Sequence, residues 1–377
     1  MQVVRDFYKV IDLLAPFSSS YSWDNTGLLV GDMDQKVEKL LISLDVTDDI
    51  VDYAIEQRVD LIISHHPVIF QAQKRITQKK LLKLISHQIA VISAHTNLDI
   101  TKYGINYLLA KAIGLNEIKP LSMSSDIGQY QISVFVPEGG VEKTRNEEGK
   151  IPQSFVDRVL KAMHEAGAGV IGDYQHCASK YEVQGQFIPS KGSSPFIGKQ
   201  GNLEVLSEVK IEMLCEEMYL SAVLRAMINA HPYETPVYSV IPLKQKSSNF
   251  GLGSYGELPQ DMTLQDLAKK VKLDLSAPIV KLWLADKKVD TLIKSVAVCG
   301  GSGNSIINEA SIKADVFISS DFSYHQLLDA PMPIIDAGHF YTENLITIYM
   351  VGLFKDFDCN ILVADAKIHD IKKLKLI

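Results

Sequence analysis

The chain has 377 residues, 38 Lys and Arg against 45 Asp and Glu for a net charge of −7, and 46% hydrophobic against 22% charged residues. That balance excludes a disordered or fibrous chain, and the length is enough for two or three domains with cores of their own. Net negative charge with only short mixed basic runs excludes general binding to nucleic acid or an anionic surface, and nothing approaches the roughly 18 apolar residues of a membrane span.

Arg5, Asp6, Lys9 and Asp12 sit in an amphipathic N-terminal pattern that lacks the apolar core of a secretory signal. Cys177, Cys215, Cys299 and Cys359 are scattered, without a Cys-x-x-Cys pair. The expectation is a reduced, cytoplasmic protein in which any metal site is built from His and carboxylates.

Val4, Phe7, Tyr8, Ile11 and Leu14 recur at helical spacing, and 39–44 reads as a buried strand ending at Asp45. A helix capped by Thr47 follows, then a strand at 61–63, a helix at 81–86, a strand at 90–93 and a helix at 107–113. This is the rhythm of a parallel sheet covered on both faces.

Near Gly128 the grammar changes. Strands are expected at 130–136, 181–188, 205–214 and 237–241 and helices around 155–163 and 219–228, with a polar stretch at 138–150 and a Gly- and Ser-rich loop at 189–201. The order β-α-β-β-α-β is that of a ferredoxin-like module whose terminal strands lie side by side. From Leu264 the α/β alternation resumes, with strands near 279–284, 296–298, 316–318, 334–335 and 361–363. One α/β domain made of the outer thirds, interrupted by the module, is the simplest arrangement. Three independent domains in series is the alternative.

Three histidine clusters stand just past strand ends, where open α/β sheets place ligands. In Ser64-His65-His66-Pro67, the two imidazoles share a site only if the chain leaves the strand there, since neighbours in a strand point to opposite faces. One core and one exposed histidine is the plain alternative. His95 and Asp99 are spaced i, i+4 after the strand at 91–93, although Asp99 or Thr96 can simply cap a following segment. His339 and Glu343 share that spacing after 334–335, beyond the turn that Gly338 permits, and Glu343 can alternatively complement a helix dipole. Their joint occurrence after three strands of one sheet decides for a metal site. Imidazoles and carboxylates suit Zn, Mn, Fe, Co or Ni, and a bridging carboxylate holds two ions about 3.5–4 Å apart.

Other segments carry less. Residues 300–304 (Gly-Gly-Ser-Gly-Asn) follow a strand and offer N–H groups to an anion or form a plain turn. Residues 251–256 read as a turn-rich linker, 23–28 as a pocket lining or a Trp-anchored turn, and His325 as a substrate contact or a surface histidine. His87, His164, His176 and His369 are left as structural.

Residues 23–28 (Trp-Asp-Asn-Thr-Gly-Leu), 64–67, 95–99 (His-Thr-Asn-Leu-Asp), 300–303 and 338–343 (Gly-His-Phe-Tyr-Thr-Glu) together resemble the Nif-three-like family, labelled GTP cyclohydrolase 1 type 2 homologue. Residues 231–236 (His-Pro-Tyr-Glu-Thr-Pro) are similar to the signature of the PII- and CutA-like module that long bacterial members carry. The resemblance implies an α/β domain in two parts, 1–128 and 244–377, with a ferredoxin-like (PII/CutA-like) α+β domain inserted at 129–243. It further implies a homohexamer and two divalent metal ions per subunit held by His65, His66, Asp99, His339 and a bridging Glu343, with His95 beside them. Ser254 stands where many members have Arg, and Ser319-Ser320-Asp321 where Thr-Gly-Asp is common, which bears on substrate contacts and not on metal binding.

The leading expectation is a metal-dependent hydrolase acting on a small molecule, with His95 or His325 moving protons. The family name implies a nucleotide, GTP, opened at the carbon between its imidazole nitrogens. A metal-dependent phosphoesterase acting on nucleotides is the second reading, and a non-catalytic metal-binding regulatory or scaffold protein the third. Substituting His66 and Asp99 separates them, because turnover is lost in both enzyme readings while partner binding survives in the third.

Overall fold

The structure, a computed structural model, describes residues 2–123, 128–138, 154–172, 174–245, 247 and 250–364. His369 and nearly all of the expected polar stretch at 138–150 lie outside them. Two compact units are present, Met1–Ser124 with Asn249–Ile377, and Ser125–Ser248.

In the first unit the expected single sheet is two. A five-stranded sheet runs in the order Asn360–Val363, Lys39–Ser43, Leu61–Ser64, Ala90–Ser93, Gly27–Val30, parallel except for its last pair. A six-stranded sheet runs Lys281–Trp283, Ile334–Asp336, Val316–Ser320, Leu292–Ser302, Gly251–Thr263, Asn116–Met123, parallel only among its second, third and fourth strands. Apolar runs say that a strand is buried, not which neighbour it pairs with. The strand at 61–64 finds both partners in its own segment, and 334–336 finds its partners in the other.

Successive residues of the five-stranded sheet face opposite cores. Leu40, Ile42, Leu61 and Ile63 pack with the helices Val4–Leu14 and Leu345–Phe354, whereas Leu41, Ile62 and Val91 pack with Asp48–Gln57 and Lys79–Ser86. Thr47 caps the helix after it, accepting from the Ile50 N–H. The two outer segments are interwoven: Asn360–Val363 adds beside Lys39–Ser43, and Gly251–Thr263 lies between Asn116–Met123 and Leu292–Ser302. Residues 251–256 are therefore no linker but the start of a long strand. Its glycines answer crowding, since a Cβ on Gly251 or Gly256 would stand 2.5 Å from Ser122 O and 2.4 Å from Asn116 O.

Both sheets use one device at the start of a parallel pair. Asp60 Oδ2 accepts from the Glu38 and Lys39 N–H groups at 2.9 and 2.8 Å, and Asp315 Oδ2 from those of Lys294 and Ser295 at 3.0 and 2.8 Å. Each aspartate fixes where the neighbouring strand begins, and so where its far end delivers the chain.

The second unit is a four-stranded antiparallel sheet in the order Tyr238–Leu243, Gln129–Pro137, Glu204–Glu216, Ser179–Phe187, packed on the helices Phe155–Glu165 and Glu217–Ala230. Ile132, Val134, Ile211 and Met213 meet Val159, Met163, Val223 and Met227 in its core. Among the described residues no helix is long and apolar enough to cross a membrane.

Phe7 ties the two segments together, its fully buried ring lying 5.2 Å from that of Phe354 and 4.8 Å from that of Phe357. Phe7→Ala is expected to cost about 3–5 kcal/mol in denaturant unfolding. A loss below about 1 kcal/mol would show that the segments do not share this core.

Candidate metal centre

The strand Leu61–Ser64 ends where the Ser64 hydroxyl meets Ser93 Oγ at 2.8 Å and donates to His66 O at 2.8 Å, turning the chain out of the sheet. The His65 and His66 N–H groups still reach Ser43 O and Leu44 O, so both imidazoles stay beside the neighbouring strand's end. His95 immediately precedes the short helix Thr96–Ile100, and Gly338, at φ 82°, opens the helix His339–Glu343. The i, i+4 pairs thus fall on single turns.

Each ring is held by its Nδ1 atom. His65 Nδ1 donates to Ala94 O at 2.9 Å, His66 Nδ1 to Asp45 Oδ1 at 2.7 Å, His95 Nδ1 to Asp24 Oδ1 at 3.0 Å and His339 Nδ1 to Asp321 Oδ2. An oxygen at Nδ1 puts the proton there and leaves Nε2 as the coordinating atom. Those atoms converge: His66 and His339 Nε2 are 3.3 Å apart, and Glu343 Oε2 is 3.1 and 2.9 Å from them. Glu343 Oε1 faces His65 Nε2 at 4.0 Å, with Asp99 Oδ1 3.5 Å from the same nitrogen.

Three overlapping sets have ligand atoms within 4.8 Å of one another: His65, His66 and His95; His66, His339 and Glu343; His65, Asp99 and Glu343. His65 Nε2 and Asp99 Oδ1 are buried and, among the described residues, have no hydrogen-bond partner. Two orphaned lone-pair donors aimed at one point fit a cation, and the imidazole and carboxylate set suits a divalent transition metal.

Charge within the cluster is divided by burial and neighbours. Burial drives His65 down to about 3, so it is neutral, and pushes Asp99 up to about 7. Burial also opposes charge on His66 and His339, but hydrogen bonds to Asp45, Asp321 and Glu343 outweigh it and raise them to about 10 and about 9. For Glu343 the penalty of burial is overcome by His339 and His66, which hold it far below the usual carboxylate range. Asp24, likewise opposed by burial, is brought to about 2 by His95 and Thr96.

Residues 300–303 serve the site in a way other than expected. The Gly300 N–H donates to Asn106 Oδ1 at 2.8 Å and that of Gly301 to Thr342 Oγ1 at 3.0 Å, so neither amide is available to an anion. The Ser319 and Ser320 hydroxyls hold Gly301 O at 2.9 and 2.7 Å. Gly301 has φ 58°, and a Cβ there would stand 2.2 Å from Glu343 Oε1.

Of the residues singled out from the sequence, His65, His66, His95, Asp99, His339 and Glu343 come together. His325 does not: it is exposed beside Tyr324 and, among the described residues, bonds to none of the cluster. The ring-orienting carboxylates Asp24, Asp45 and Asp321 were not foreseen in that role. Asp45 and Asp321 stand within two residues of a strand's carboxyl end, and that position was their signal. Trp23 is exposed, 6.1 Å from the His95 ring, while the neighbouring Asp24 takes the Thr96 hydroxyl at 2.6 Å.

Gly301→Ala is expected to keep the fold, read by circular dichroism, and to weaken metal retention by roughly tenfold or more, because it displaces Glu343. Because His66, His339 and Asp99 are all pushed toward their protonated forms and coordinate only when deprotonated, zinc is expected to release protons, roughly one to three, on binding at pH 7. Affinity therefore rises with pH. Calorimetry in buffers of different ionisation enthalpy measures this directly.

The profile of the family described as Duf34/NIF3 (NGG1p interacting factor 3) matches residues 2–369. Over 334 residues, 86% of this chain and 85% of the relative, it is 38% identical to the protein named GTP cyclohydrolase 1 type 2 homolog of Halalkalibacterium halodurans. Its identity to the protein of that name from Bacillus subtilis is 35% over 376 residues, 96% of each. The crystal structure of a Bacillus cereus protein related to NIF3 is similar across 98% of both chains, with 33% identity and a TM-score of 0.81. Carrying this match along almost its whole length, the chain belongs to the Duf34/NIF3 family.

Proposed function

We propose that the cluster is a two-ion centre at which water is added to a small-molecule substrate, a nucleotide in the reading favoured by the relatives' name. The observation that carries it is Glu343, whose Oε1 faces His65 while Oε2 faces His66 and His339, so that one carboxylate serves two sets of imidazoles. His65, Asp99 and Glu343 would hold one ion, and His66, His339 and Glu343 the other. Divalent ions of the Zn, Mn, Fe, Co or Ni class, when bound, acidify water and polarise the group under attack.

The chain's own residues supply the rest. Asp24, ionised, accepts from His95 Nδ1 and so leaves His95 Nε2 turned to the centre, where it can take a proton from the attacking water and return it to the leaving group. The rings of Trp23 and Phe70 flank His95 at 6.1 and 6.2 Å and are exposed, a surface against which a flat substrate can lie beside that nitrogen. Exposed His325 is given no part in proton transfer.

Strand order supports a ferredoxin-like, PII- and CutA-like reading of the inserted unit. Free Cys177, Cys215, Cys299 and Cys359 support a cytoplasmic protein, and family resemblance supports a homohexamer.

Elemental analysis of the purified chain is expected to find about two ions per subunit, falling sharply in Glu343→Ala, which also loses turnover in a screen of GTP and phosphoesters. No tightly held metal in the native chain after reconstitution would overturn this reading. Phosphoester turnover without opening of the GTP ring would move it to a phosphoesterase.

A further inference from the structure

The second unit contains a cavity of about 560 Å³ that the metal centre leaves unexplained. The strands Ser179–Phe187 and Glu204–Glu216 line it, together with Tyr233, Glu234 and Thr235 of the motif at 231–236. Its walls include Phe135, Val183, Phe187, Phe196, Ile197 and Val237. Set into this apolar surface is Glu208, a residue 8% exposed.

Glu208 is held there by construction. The Tyr233 hydroxyl donates to Glu208 Oε1 at 2.9 Å. Tyr233 is itself positioned by His231, whose Nδ1 accepts the Tyr233 N–H at 3.0 Å while Nε2 donates to Phe135 O at 2.8 Å. Glu208 Oε2 lies over Gly185, where a Cβ would stand 2.2 Å away. Motif and glycine therefore do one thing: they hold a carboxylate in an apolar cavity.

Among the described residues Glu208 has no Lys, Arg or His partner, and the lining has a second carboxylate, Glu234, without a basic side chain. Burying a carboxylate against one neutral hydroxyl costs far more than that hydrogen bond returns, unless an opposite charge arrives. Two carboxylates repel phosphates and other anions. The ring centroids of Phe187 and Tyr233 are 6.4 Å apart, offering aromatic surface to a positive group, and the volume suits a small organic ligand.

We propose that this cavity binds a small organic cation, its ammonium group paired with Glu208 and its apolar body against Phe135, Phe187 and Phe196. The site is independent of the metal centre, and its failure leaves the reading of that centre untouched.

The full-length protein is titrated calorimetrically with phenethylamine, phenethyl alcohol and phenylpropionate, which share an apolar body and differ in head group. The amine is expected to bind with a Kd below about 1 mM and roughly tenfold more tightly than the alcohol, with no binding of the acid. Glu208→Gln, which preserves shape and the Tyr233 hydrogen bond, is expected to erase that preference and leave the alcohol unchanged. Gly185→Ala, which pushes the carboxylate aside, should lower amine affinity in a chain that circular dichroism shows to be folded. Equal binding of amine and alcohol, a preference that survives Glu208→Gln, or no amine binding would each overturn the proposal.

Discussion

Four imidazoles can crowd around one small volume only if each is prevented from turning, and the oxygen atoms at their Nδ1 positions do this. Ala94 O, Asp45, Asp24 and Asp321 hold the Nδ1 proton and fix the angle of each ring, so that Nε2 is the atom turned to the centre and the one that offers a lone pair once it gives up its proton. Three of the four anchors are carboxylates, which make the nitrogens better donors and supply charge that the imidazoles lack. The hydroxyls and amides around Gly301 do for Glu343 what those oxygens do for the rings, setting the height at which its carboxylate stands.

Such a site needs two sheets. His66 and His339 lie 273 residues apart in sequence and 3.3 Å apart in space, one following a strand of the five-stranded sheet and the other a strand of the six-stranded sheet. Interweaving of the outer segments keeps those sheets in register with each other: a late strand completes the first sheet, an early one borders the second, and Phe7 meets Phe354 between the first and last helices. A site on one sheet alone would have had the imidazoles of His65, His66 and His95 but not the carboxylate that two donor sets share.

The two units handle buried charge in opposite ways. In the first, Glu343, Asp24, Asp45 and Asp321 each stand against an imidazole. In the second, Glu208 has a single neutral donor and aromatic surroundings. A glycine permits the close approach in each case, Gly301 beneath Glu343 and Gly185 beneath Glu208, and no other residue type fits at either place without moving the carboxylate.

Local chemistry was legible from the residues alone. Buried strands at 39–43, 61–64 and 90–93, the Thr47 cap and the β-α-β-β-α-β order follow from apolar runs, capping side chains and spacing, which are properties of short segments. The i, i+4 pairs His95 with Asp99 and His339 with Glu343 belong there too, because one helical turn decides them. Tertiary structure alone decided that two sheets form and not one, that residues 251–256 are strand, that the glycines at 300–301 crowd a carboxylate and do not cradle an anion, and that His325 stays apart. Each of these depends on which distant backbone comes alongside, and the periodicity of a strand tells which of its faces is buried, not which distant segment lies next to it.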